Sequence, residues 1–75
     1  MAREITFINL EAEILRSKLS KAELASMIGI SSGSMSSKLT GKTEFNLSEM
    51  LAIRERLETS IGQDFTLDYL FKRGE

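Results

Sequence analysis

The sequence predicts an all-α fold, a compact bundle of about five short helices making a single domain over residues 1–75. Three observations predict it. Four segments open on a capping residue bracketed by apolar residues five positions apart. Glycines stand where helices should stop, and the apolar residues between these signals recur at three- and four-residue spacing.

Taken in order, residues 5–8 are ambiguous, either a lead-in to the first helix or a short strand. Helix 1 is predicted over residues 10–18, with Asn9 as its cap and Leu10, Ile14 and Leu15 as its inward stripe. Ser20 and Glu23 form a capping box at the start of helix 2, and Leu19 with Leu24 form its hydrophobic staple. Gly29 ends that helix and Ile30 leads into the next, capped by Ser31 and stapled by Ile30 and Met35. Gly41 closes helix 3 in the same way. Asn46 and Glu49 are a second capping box, stapled by Phe45 and Met50, and open helix 4 over residues 47–57. Met50, Ile53 and Leu57 form its buried face. Thr66 caps a fifth helix, with Phe65 and Leu70 as its staple.

Composition narrows the chemistry. With no cysteine and no histidine, disulfides, the usual zinc ligand sets and Cys- or His-based catalytic groups are all excluded. Glu11 and Glu13 read as helix surface by spacing, so no buried carboxylate pair supports an enzyme; the expectation is a binding module without a cofactor or small-molecule ligand. No apolar run reaches the roughly 18 residues of a membrane span, and the first residues lack the pattern of a secretory signal. A soluble cytoplasmic protein is expected. Net charge is −1, but residues 16–43 carry +4, with Arg16, Lys18, Lys21, Lys38 and Lys42 against Glu23. The flanking segments are acidic. A basic middle can meet a polyanion on one face despite the total.

Residues 21–40 hold the informative pattern. Leu24 and Ile28 face the core four apart, Ala25 lets a second helix approach, and Gly29 makes the turn. Ile30 fills the corner, and Met35 and Leu39 anchor the following helix. Two short helices joined by a tight glycine turn make a helix-turn-helix, although a plain helical hairpin has the same spacing. The stretch Lys21-Ala-Glu-Leu-Ala-Ser-Met-Ile-Gly-Ile-Ser-Ser-Gly-Ser-Met-Ser-Ser-Lys-Leu-Thr-Gly-Lys resembles the helix-turn-helix of lambda-repressor-like regulators, the group of phage repressors and Cro proteins. Glu44-Phe-Asn-Leu-Ser-Glu-Met-Leu-Ala-Ile is similar to the family's next segment, and Leu67-Asp-Tyr-Leu-Phe to its fifth helix. The likeness covers residues 9–58 and the chain's end.

That resemblance implies a transcriptional regulator, of a phage or prophage Cro or repressor type, that binds double-stranded DNA as a homodimer in the bacterial cytoplasm. The helix over residues 32–40 would enter the major groove, with Ser31, Ser32, Gly33, Ser36, Ser37 and Thr40 facing bases. Lys21, Lys38, Lys42, Thr43 and Asn46 would meet phosphates. Two departures qualify the likeness. Lys21 stands where glutamine is common, and Lys38 where an apolar residue is common, with Leu39 taking the buried role. The base-facing set has no Arg, Asn or Gln, the side chains that make bidentate contacts to base edges. An acidic total and this missing set motivate an alternative to that leading reading, a protein-interaction module of the antitoxin or antirepressor-partner type. Ile5, Phe7, Tyr69 and Phe71 are candidates either for the dimer surface or for closing the core.

Overall fold

The computed structural model describes residues 6–74 and contains five helices among them: α1 Ile8–Ser17, α2 Lys21–Ile28, α3 Ser32–Leu39, α4 Leu47–Ile61 and α5 Leu67–Leu70. The predicted caps form. Ser20 accepts from the Glu23 N–H at 3.0 Å while Glu23 accepts from the Ser20 N–H at 2.8 Å. Asn46 and Glu49 do the same at 2.8 and 3.0 Å. Ser31 caps α3 through the Ser34 N–H, and Thr66 caps α5 through the Tyr69 N–H. Short helices are marginal alone, so these ends matter here.

Their apolar faces meet in one core. Leu10, Leu24, Met35, Ile53, Leu57 and Leu70 are fully buried, so each helix contributes to it. Ala25, also buried, lets α2 lie close to its neighbours. Phe7, Phe45 and Phe71 close one end as an edge-to-face trio with centroids 5.2–6.0 Å apart. Phe7 and Phe71 therefore finish the core of this domain, and Ile5 lies outside the described residues.

Four details depart from the expectation. α1 begins at Ile8 after Phe7, which makes no side-chain cap, and Asn9 instead donates to the Tyr69 carbonyl at 2.9 Å. Burial of the Phe7 ring sets this start, not a capping oxygen. Thr6 and Phe7 are thus a lead-in to α1, which already includes Ile8, and no strand occurs among the described residues. Leu15 is 82% exposed. It lies about 140° around the helix from Leu10, at 100° per residue, and so misses the face that Leu10 and Ile14 define. α4 runs one turn beyond Leu57 and ends at Gly62, whose N–H bonds the Glu58 carbonyl at 2.8 Å.

The fourth correction concerns Glu13, which is buried rather than on the surface. It lies three residues after Leu10 on the inward side, where α5 covers it. Arg16 donates to one carboxylate oxygen and the Tyr69 hydroxyl to the other, both at 2.7 Å. The bond to Glu13, then burial and the Glu13 charge, holds the Tyr69 phenol above its ordinary pKa of 10.0. This network ties α1 to α5. Tyr69→Phe removes one donor from a buried carboxylate, and water reaches the half-exposed ring only in part. The expected loss is about 1–2 kcal/mol in chemical denaturation. In a Glu13→Gln background the same substitution should cost less.

Candidate nucleic-acid interface

The site is built on the α2–α3 corner. Gly29, at φ +82°, adopts a conformation that side-chain-bearing residues rarely take. Its N–H bonds the Ser26 carbonyl at 3.2 Å and the Ile30 N–H bonds the Ala25 carbonyl at 2.9 Å, the paired bonds of a Schellman end. Gly41, at φ +85°, ends α3 identically, with Gly41 and Lys42 N–H groups bonded to Lys38 and Ser37 carbonyls at 3.2 and 2.9 Å. Both ends of α3 are thereby set by backbone geometry.

Between them α3 is held from beneath by Met35 and Leu39, which are 0% and 3% exposed. Its opposite face is open. Ser31, Ser32, Gly33, Ser34, Ser36 and Thr40 are exposed, and Ser37 is half-buried at the edge. A methyl group at Gly33 would find only the Ser31 hydroxyl, at 3.9 Å. The surface is therefore low and flat, with no long side chain standing above it. Thr40 donates its hydroxyl hydrogen to the carbonyls of Ser36 and Ser37, at 3.0 and 3.1 Å, which leaves it an acceptor. No acidic residue occupies the first turn of α3, so its positive dipole end remains open to an anion.

The cations differ in freedom. Lys42 is exposed on the turn after α3, next to exposed Thr43. Lys21 is half-exposed at the start of α2 and pairs with Glu11 at 2.8 Å. Lys38 is different: its side chain is only 16% exposed and its ammonium reaches Glu49 and the Glu44 carbonyl, both at 3.1 Å. It fastens the end of α3 to the start of α4 and shapes the connecting loop. Asn46 spends its side-chain oxygen as the α4 cap. The Lys38–Glu49 tie was not legible, because Glu49 already had a role as the capping-box partner of Asn46.

These residues compose a lambda-repressor-like all-α helix-turn-helix domain. Neither a protein-family model nor a curated protein matches the chain. Among solved structures, it is similar to the DNA-binding domain of the P22 C2 repressor (residues 1–76), determined by nuclear magnetic resonance in solution. The two are 26% identical, the alignment covers 96% of this chain and 87% of that one, and the TM-score is 0.69.

Burial disfavours the charged form of Glu49, but the Asn46 N–H and the Lys38 ammonium outweigh it and keep the pKa below the ordinary 4.5. A carboxylate lowered in this way contributes stability above its unfolded pKa and loses it as pH falls through the folded value. Wild type should therefore exceed Glu49→Gln in denaturation midpoint at neutral pH. The gap should narrow progressively below pH 4.5. A gap independent of pH would remove the charge of Glu49 from this account.

Proposed function

We propose that this chain is a transcriptional regulator that binds double-stranded DNA sequence-specifically, with the outer face of α3 in the major groove. The observation that carries the reading is that open face: a short helix, buried on one side by Met35 and Leu39, presents Ser32, Gly33 and Ser36 to solvent. Likeness to the P22 C2 repressor DNA-binding domain supports it. A phage or prophage Cro or repressor type of regulator, working in the bacterial cytoplasm, is the finer form of the proposal.

Ser31, Ser32, Gly33, Ser36, Ser37 and Thr40 face the bases. Hydroxyl groups donate or accept, so each of these contacts is permissive, and part of the specificity comes from DNA shape. Lys42, Thr43 and Asn46 on one side and Lys21 on the other hold phosphates. Lys21 exchanges its bond to Glu11 for one to the backbone. Lys38 supports the site by holding the loop in place. One such unit covers few base pairs, so a homodimer on two half-sites a helical turn apart completes the binding.

The reading is tested on duplexes recovered by selection from random sequence. Lys42→Gln should weaken binding to every duplex alike and lower the slope of log K against log salt by about 0.9. Gly33→Ala separates fold from function. It should stabilise α3 by roughly 0.5–1 kcal/mol, since a methyl fits and the unfolded chain loses freedom. The same methyl should change or weaken the selected site, because it stands on the surface pressed against the groove. Unchanged selection by Gly33→Ala would remove α3 from the contact.

A second reading is a protein-interaction module of the same fold, as in an antitoxin or antirepressor partner. The exposure of Ile8 and Leu15 on α1, at 53% and 82%, favours it. Recovery of a stoichiometric protein partner, with no duplex retained at low salt, would establish that alternative.

A further inference from the structure

The segment after α5 turns back across the start of the chain. The Gly74 N–H bonds the Thr6 carbonyl at 2.8 Å, and the Arg73 guanidinium lies 5.3 Å above the centroid of the Phe7 ring. A side-chain carbon placed on Gly41 would stand 3.4 Å from one Arg73 nitrogen and 3.4 Å from the Thr6 hydroxyl. A residue 32 positions later in the chain thus brings its cation to Gly41, on the turn that follows α3 and precedes Lys42.

We infer that Arg73 is a phosphate-binding residue of the DNA interface, contributed from outside the helix-turn-helix. The inference rests on the reading that α3 faces DNA, and adds one backbone contact at the flank of the site. A cation–π contact with the Phe7 ring restrains the guanidinium while leaving N–H groups available, an arrangement suited to a phosphate. The backbone bond at Gly74 restrains the segment further, so little freedom is left to lose on binding. Arg73 is exposed, and among the described residues no carboxylate forms an ion pair with it. A loop that already presents Lys42 gains a second cation from a distant part of the sequence.

The test compares wild type, Lys42→Gln, Arg73→Gln and Arg73→Lys by fluorescence anisotropy on a selected duplex across a series of salt concentrations. Thermal melts confirm that each is folded. Arg73→Gln should reduce the salt slope by about 0.9, so that its disadvantage to wild type shrinks about three- to four-fold between 50 and 200 mM salt. Arg73→Lys, which keeps the charge, should restore most of the slope. If Arg73→Gln lowers the melting temperature but leaves the slope at the wild-type value, Arg73 only packs the core and the inference is overturned. In that event a reduced slope for Lys42→Gln would leave the DNA reading standing. Wild-type protein that binds no duplex would overturn both.

Discussion

The reversal of the chain at Gly29 is the constraint on which the exposed face of α3 depends. Eight residues make barely two turns of helix, and Ser32–Leu39 contains four serines and a glycine, a composition with little intrinsic helicity. What keeps this segment helical is its surroundings. The glycine corner lets Ile30 fall against the core, and Met35 and Leu39 follow on the next turns. Ser31 then satisfies a first-turn N–H, and the Gly41 end satisfies the last carbonyls. Since the buried side does the holding, the outer side is free to carry small residues of low helix propensity.

Electrostatics in a chain of net charge −1 is a matter of allocation. Two lysines of the central segment are engaged with carboxylates of the same chain, Lys21 with Glu11 and Lys38 with Glu49. The first pair is partly exposed and worth little, so a phosphate can compete for the lysine. The second is shielded and bonded to a backbone carbonyl as well, which suits it to a structural task. The positive surface available around α3 is consequently smaller than the lysine count implies. It is concentrated at the turn after the helix, where the path of the C-terminal segment adds Arg73.

Local signals made much of this legible. The caps at Ser20, Ser31, Asn46 and Thr66, and the glycine ends at Gly29 and Gly41, depend on residues within a few positions of one another, and each forms where its spacing indicates. Failures arise where distant parts of the chain meet. Asn9 has the chemistry of a cap, but Phe7 is drawn into an aromatic cluster completed by Phe45 and Phe71 and shifts the helix start. Glu13 has the composition of a surface residue, but α5 arrives above it carrying Tyr69. Leu15 shows the converse: hydrophobicity suggests burial, while helix geometry turns it outward. The exposure of Ser32, Gly33 and Ser36 followed from Met35 and Leu39 being apolar, whereas the commitment of Lys38 to Glu49 required the fold.

In the proposed DNA complex, the low profile of α3 bears on how its surface would discriminate between sequences. Long polar side chains read bases at a distance, and each good bidentate pair contributes about 1–3 kcal/mol of discrimination. Serine hydroxyls and a bare glycine provide less, and they require the helix backbone to approach closely. Close approach makes the fit sensitive to groove width and to the ease with which a sequence bends, so a misfit at one base pair is felt along the whole contact. It also makes the phosphate contacts on either side decisive, because they set how deeply the helix seats. In the proposed complex, the ties that position the flanking loop, Lys38 to Glu49 and the second glycine end, would matter to recognition without contributing a base contact. The rigidity of the corner would then be part of the proposed specificity.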